Sequence, residues 1–101
     1  MKFKEGVVWQ DMHPAIEDST SPVDNIFKEF QCELVVTSGR DSKHGDGSLH
    51  YEGKAYDARI RNVLELLTKK IKDQLGSNFD VILESDHIHI EFDPNHDSKV
   101  R

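Results

Sequence analysis

Three histidines and an aspartate are spaced so that their side chains could share one metal ion. His87 and His89 alternate with isoleucines in the predicted strand 86–92, so both imidazoles lie on its polar face. Asp57 lies in a second predicted strand, and His50 comes just before that strand. If the strands pair, opposing Cβ atoms lie about 4.5–5.5 Å apart, close enough to share an ion. A catalytic zinc site of this type has two imidazoles and a carboxylate as ligands, with a fourth coordination position left for water. The alternative interpretation is that these are solvated polar residues on an exposed face of the sheet.

The positions of these residues depend on a few helices and strands that the hydrophobic pattern predicts. The predicted elements are an arm or short strand at 5–10, a helix that begins at Ser21-Pro22, strands at 34–37 and 54–60, a helix at 62–75, and strands at 79–83 and 86–92. A loop of Gly, Ser, Asp and Lys separates the first two of these strands. The chain is too short for several parallel crossovers. The sequence therefore predicts an α+β fold in which a small, mainly antiparallel sheet packs against two helices.

The ends of the two helices are predicted from their capping residues. Ser21 is a good N-cap and Pro22 suits the first helical position, with Val23, Ile26, Phe27 and Phe30 at helical spacing behind them. Asn62 is the predicted cap of the second helix, and Gly76 is its predicted end. The apolar stripe of that helix is predicted to be Val63, Leu66, Leu67, Ile71 and Leu75.

Length and charge exclude several classes of protein. The 101 residues allow one domain, 1–101, with a formal net charge of -6 and no basic block, which disfavours binding to nucleic acid or an anionic membrane. Cys32 is the single cysteine, so an intramolecular disulfide and a multi-cysteine zinc site are excluded. The first residues do not resemble a secretory signal, so we expect synthesis in the cytoplasm.

Three short segments carry a resemblance to a known family. Residues 48–57, Ser-Leu-His-Tyr-Glu-Gly-Lys-Ala-Tyr-Asp, are similar to the S-x-H-x-x-G-x-A-x-D motif of the zinc D-Ala-D-Ala carboxypeptidase family. That family belongs to the hedgehog/DD-peptidase superfamily and includes phage endolysins that cleave the L-alanyl-D-glutamate bond. Ser38-Gly39-Arg40 resembles the family's S-G-x-R segment with one residue missing, and 86–89 resembles its terminal acid-x-x-His motif. The segments follow the family's order and span about residues 34–93.

The resemblance implies a role for each matching residue. The implied zinc ligands are His50, Asp57 and His89. Asp86 would be the general base that takes a proton from the attacking water, and Arg40 would hold the substrate carboxylate or the oxyanion. Ser48 and His87 would line the substrate pocket. A register with Glu84 as base and His87 as ligand stays open, and Glu91 is a candidate partner that orients an imidazole.

We therefore expect a zinc peptidase that hydrolyses a D-amino-acid-containing bond in peptidoglycan stem peptides, as a monomeric phage lysis enzyme that acts on the cell wall after release. The expected cofactor is Zn²⁺, and the expected partner is the stem peptide rather than nucleic acid or membrane. One alternative is a catalytically inactive zinc-binding module of the same superfamily. Another is a small β-barrel metalloenzyme that uses the His87 and His89 pair, which the strong helix at 62–75 disfavours.

Overall fold

The protein is described by a computed structural model that covers residues 1–41, 48–60 and 65–94. Its elements are β1 (Lys2–Phe3), α1 (Pro14–Glu29), β2 (Val35–Ser38), a 3₁₀ helix (Leu49–Glu52), β3 (Ala55–Arg59), α2 (Glu65–Leu75), β4 (Phe79–Leu83) and β5 (His87–Phe92). The predicted cap Asn62 and the stripe residue Val63 lie outside the described residues. In the described part of the chain, neither helix is long and apolar enough to cross a membrane.

The five strands form one mixed sheet in the order β1-β2-β3-β5-β4. β1 pairs with β2 in parallel, and the other three strand pairs are antiparallel. The predicted α+β class, with a mainly antiparallel sheet and two helices, is therefore confirmed. The sequence pattern did not predict the two-residue β1 or the 3₁₀ helix, because both are too short to show a hydrophobic period.

The pairing of β3 with β5 divides the sheet into an apolar face and a polar face. Ala58 pairs with Ile88 and Tyr56 pairs with Ile90, and all four side chains are buried. Asp57, between Tyr56 and Ala58, pairs with His89 on the opposite face. Because side chains alternate along a strand, this one register fixes both the core and the polar face.

The core lies between the apolar face and the two helices. α1 contributes Ile16, Val23, Ile26 and Phe27, and α2 contributes Leu67 and Ile71. The strands add Val36, Tyr56, Ala58, Val81, Ile88 and Ile90. Burial of these side chains stabilises the fold by about 1.5–3 kcal/mol for each large aliphatic or aromatic residue. The helices thus support the sheet from its apolar face, and the side chains of Asp57 and His89 lie on the other face.

The predicted start of α1 is wrong, because the helix begins eight residues earlier than Ser21-Pro22. His13 is the N-cap, and its Nδ1 accepts a hydrogen bond from the backbone N–H of Ala15 at 3.0 Å. Pro14 then occupies the first helical position, so Pro22 lies inside the helix. Proline removes one backbone hydrogen bond there, but buried residues on both sides keep the helix continuous.

The prediction for the apolar stripe of α2 is correct in part. Leu67 and Ile71 are fully buried and Leu75 packs against the core, but Leu66 is 61% exposed. A helix advances about 100° per residue, so the residue before Leu67 turns away from the core. Gly76 has φ +82° and ends the helix, as predicted.

Candidate metal centre

The side chains of His50, Asp57 and His89 converge on one point of the polar face. His50 Nε2 lies 3.2 Å from His89 Nδ1, His89 Nδ1 lies 3.0 Å from Asp57 Oδ1, and His50 Nε2 lies 3.4 Å from Asp57 Oδ1. Ligands at about 2.0–2.1 Å from a tetrahedral ion are about 3.3 Å from one another. The three atoms therefore have the spacing of three ligands on one face of a tetrahedron, and these are the three residues that the resemblance implied as ligands.

Two of the three residues are placed by strand pairing. Asp57 on β3 is the direct partner of His89 on β5, so their side chains leave the sheet side by side. Both side chains are partly shielded, at 14% and 18% exposure. The carboxylate and the imidazole are thus held in a partly dry environment, where electrostatic interactions are stronger than in water.

His50 reaches the cluster from the 3₁₀ helix that precedes β3. Ser48 is the N-cap of this helix, and its Oγ accepts the backbone N–H of His50 at 3.2 Å. Gly53 ends the helix with φ +72°, a conformation that favours glycine. A Cβ there would also lie 2.9 Å from the carbonyl oxygen of Asp11. The segment between His50 and Asp57 is therefore folded tightly against residues 4–13, the N-terminal arm.

The N-terminal arm also fixes the loop after β2. Asp41 Oδ1 accepts the N–H of Val8 at 2.9 Å and that of Gly39 at 2.8 Å, while the N–H of Arg40 donates to Val8 O at 2.9 Å. A Cβ on Gly39 would collide with the Val8 carbonyl. This close packing places the carbonyl of Gly39 against the ring of His50. The family resemblance points to the Ser38-Gly39-Arg40 segment, but it gives no sign of the role of the Gly39 carbonyl, because every residue carries a backbone carbonyl.

The partners of the two imidazoles determine which ring nitrogens carry protons. His50 Nδ1 lies 2.8 Å from Gly39 O, and His89 Nε2 lies 2.7 Å from Glu91 Oε1. Both partners are acceptors, so each of these nitrogens carries a hydrogen and donates it. His50 Nε2 and His89 Nδ1 are then the nitrogens left to face Asp57. Carbonyl and carboxylate partners that fix an imidazole in this way are typical of metal-ligating histidines.

The charges of the cluster shift the pKa values of two of its members. Burial alone would raise the pKa of Asp57, but its interactions with the imidazoles of His50 and His89 outweigh this effect and hold that pKa well below its usual value. Burial alone would lower the pKa of His89, but hydrogen bonds to Asp57 and Glu91 raise it to about 9. At neutral pH His89 is therefore charged, and its Nδ1 carries a proton that faces Asp57 Oδ1 at 3.0 Å.

A divalent cation fits the position of that proton. The site offers two imidazole nitrogens and one carboxylate oxygen, a donor set of the kind that zinc uses in catalytic sites. A cation there would replace the proton on His89 Nδ1, since metal binding releases protons from its ligands. Its positive charge would then balance the negative charge of the Asp57 carboxylate. The donor set, the spacing and the outer partners all fit a bound metal.

His87 and Asp86 lie beside the cluster. His87 Nε2 is 3.9 Å from Asp57 Oδ1, and His87 Nδ1 is 2.7 Å from Asp86 Oδ1. The Asp86 side chain is 83% exposed. Glu84 is also exposed, and its backbone N–H donates to the carbonyl of His87 at 2.9 Å. The structure thus brings His89 into the three-atom cluster, and it connects Asp86 to the cluster through the His87 ring.

Arg40 lies next to the loop carbonyl that holds His50. Its Nη1 is 3.4 Å from Gln10 O and 3.8 Å from a carboxylate oxygen of Asp11. Its Nε is buried and has no hydrogen-bond partner within the described ranges. A buried N–H without an acceptor costs about 1–3 kcal/mol, so this group is a candidate to bind an anionic ligand.

No protein-family model matches the sequence, and no curated protein matches it either.

Proposed function

We propose that the protein is a zinc-dependent peptidase that hydrolyses a bond involving a D-amino acid in peptidoglycan stem peptides, as a phage lysis enzyme. The observation that carries the proposal is the convergence of His50 Nε2, Asp57 Oδ1 and His89 Nδ1 at 3.0–3.4 Å. The resemblance of 38–40, 48–57 and 86–89 to the zinc D-Ala-D-Ala carboxypeptidase family supports the substrate class.

In this proposal, His50, Asp57 and His89 hold the zinc ion. Bound there, zinc would activate a water molecule and polarise the scissile carbonyl, so no nucleophilic side chain is required. Glu91 and the Gly39 carbonyl keep the two imidazoles oriented, through hydrogen bonds of 2.7 Å and 2.8 Å. Outer partners of this kind contribute about 10–100-fold to metal affinity or activity.

Asp86 is the proposed general base. Its carboxylate accepts a hydrogen bond from His87 Nδ1, and the far nitrogen of that ring lies 3.9 Å from Asp57. Asp86 would take a proton from the attacking water, with His87 lining the pocket between it and the metal centre. General acid–base catalysis of this kind is worth about 10²–10⁴-fold in rate.

Arg40 is proposed to bind the substrate carboxylate. Its buried Nε has no partner within the described ranges, and an arginine fork can bind both oxygens of a carboxylate. Ser48, which caps the 3₁₀ helix, is proposed to line the same pocket. Stem peptides carry carboxylates that would suit this arginine.

The test is mass spectrometry of muropeptides incubated with zinc-loaded protein, with and without a chelator. Free D-alanine would identify a carboxypeptidase, and cleavage after L-alanine would identify an endopeptidase. Asp57→Asn is expected to yield no product, whereas Asp18→Asn, a matched change on the exposed side of α1, is expected to retain activity. Zinc-loaded protein that binds the metal but yields no product would overturn the peptidase proposal in favour of an inactive zinc-binding module.

A further inference from the structure

A second cluster of possible ligands lies on the polar face beside the metal centre. Asp80, Glu91 and Asp93 each offer a carboxylate oxygen, and these three oxygens lie within 4.8 Å of one another. Asp80 on β4 is the direct strand partner of Glu91 on β5, and Asp93 follows two residues later. The pairing therefore brings three carboxyl groups to one place, next to His89 along β5.

Glu91 is buried, and one of its oxygens has no partner. The residue is 4% exposed. Its Oε1 accepts the hydrogen bond from His89 Nε2 at 2.7 Å. Its Oε2 is buried without a hydrogen-bond donor among the described residues. Because Oε1 is already engaged by His89, Oε2 is the oxygen of Glu91 left for the cluster.

A buried carboxylate oxygen with no donor is energetically unfavourable unless a cation compensates it. The pairing of Asp80 with Glu91 brings a second carboxyl group, and with it further oxygen ligands, to the side of the buried Oε2. Imidazole and thiol donors are absent from this group of three, in contrast to the centre formed with His50. All-oxygen sites of carboxylates bind hard cations such as Ca²⁺ rather than zinc.

We propose that Asp80, Glu91 and Asp93 form a binding site for a second, hard divalent cation such as Ca²⁺. Glu91 then serves two sites at once, with Oε1 on the histidine of the first centre and Oε2 on the second cation. The second site can be tested separately from the peptidase proposal, because none of its three residues is a proposed ligand of the first centre.

The experiment is calorimetric titration of CaCl₂ into the full chain, both zinc-loaded and metal-free. We expect one calcium site with a dissociation constant of about 10⁻⁵–10⁻³ M. Asp93→Asn and Asp80→Asn are expected to weaken calcium binding at least about tenfold, because each removes a ligand charge. Asp18→Asn is expected to match the wild type. Glu91 is left unchanged because it also orients His89.

Two results would overturn the calcium site. One is the absence of calcium binding to the wild type at concentrations up to about 10 mM, well above the range of known protein sites. The other is unchanged calcium affinity in both Asp80→Asn and Asp93→Asn. A proton held among the carboxylates, in place of a metal, would give the first result. Since the metal-free protein is also titrated, failure of the zinc centre would leave the calcium result readable.

Discussion

Replacing Asp57 by Asn tests whether the three converging atoms form a metal centre or a structural hydrogen-bond cluster. The amide has nearly the same shape and can still accept the hydrogen bond from His89, so the metal-free fold is expected to persist, with a lower stability because the charge interaction with His89 is lost. The carboxylate charge and one of three ligands are lost. Loss of outer partners alone weakens metal binding about 10–100-fold, so loss of a ligand is expected to weaken it by at least about 100-fold.

The size of the effect follows from mass action. Free zinc at about 100 times its dissociation constant stabilises the native state by about 2.7 kcal/mol. In a domain of this size 1 kcal/mol moves Tm by about 4–8 °C, so zinc is expected to raise the wild-type Tm by about 10–20 °C. At the same zinc concentration, a variant with 100-fold weaker binding gains about 0.4 kcal/mol, or about 2–3 °C.

The assay is thermal unfolding by circular dichroism in zinc-buffered and chelator-containing solutions. Asp18→Asn serves as the control, because it makes the same chemical change at an exposed position of α1. The control should keep the full zinc shift. An Asp57→Asn protein with the wild-type zinc shift, or a wild type with none, would refute the metal-centre interpretation.

Three further predictions address the charge, the backbone and the proposed base. In metal-free protein the pKa of His89 rises from 6.5 to about 9 on folding. The folding stability that this shift contributes is therefore complete below pH 6.5 and is lost as the pH rises through 9. The pKa of Asp57 is lowered on folding, so the stability that Asp57 contributes is lost only as the pH falls below 3.8. Urea unfolding of metal-free protein should show a loss of up to about 3 kcal/mol between pH 6 and pH 10, and a flat profile would contradict the assignment. Gly53→Ala should destabilise the protein by about 1–3 kcal/mol in denaturant unfolding. The loss should exceed that of Gly76→Ala, because both glycines have a positive φ but only at Gly53 would the new Cβ also collide with a backbone oxygen. Asp86→Ala should retain zinc by elemental analysis and lose at least about 100-fold in muropeptide turnover; retained turnover would exclude Asp86 as the base.

The four longer strands, β2 to β5, were predicted well because their patterns leave little choice. Ile88 and Ile90 alternate with His87 and His89, and a period of two with one apolar face is compatible with a strand and not with a helix. The predicted β4 has the same bounds as the observed Phe79–Leu83 strand. Strand type thus follows from local sequence, whereas the pairing of β3 with β5 is a long-range contact that could only be assumed.

The start of α1 was wrong because two proline-based signals compete in the sequence. Ser21-Pro22 has the better capping residue, but His13-Pro14 offers the same proline position and an imidazole acceptor for the first turn. The choice between them is made by burial, since Ile16 and Ser19 lie in the core before the second proline. Local capping preference contributes about 1 kcal/mol, which is less than the burial of one large side chain.

The three converging side chains of the candidate site could be predicted from the sequence, but the groups that hold them in place could not. The family resemblance implied His50, Asp57 and His89, and the structure brings these three side chains together. The contact of the Gly39 carbonyl, and the Glu91 oxygen that has no partner among the described residues, depend on tertiary packing. Sequence alone suggested Glu91 as a partner that orients an imidazole, and the structure places Glu91 Oε1 at 2.7 Å from His89 Nε2.

The precision of the centre follows from the core beneath it. Asp57 pairs with His89 because Tyr56 pairs with Ile90 and Ala58 pairs with Ile88. A slip of one residue between β3 and β5 would turn the isoleucines outward and the histidine into the core, and the burial lost would amount to several kcal/mol. The register is therefore held by apolar side chains that never touch a metal. If the three atoms bind a metal as proposed, their geometry is set before the ion arrives, which would reduce the conformational entropy that metal binding has to overcome.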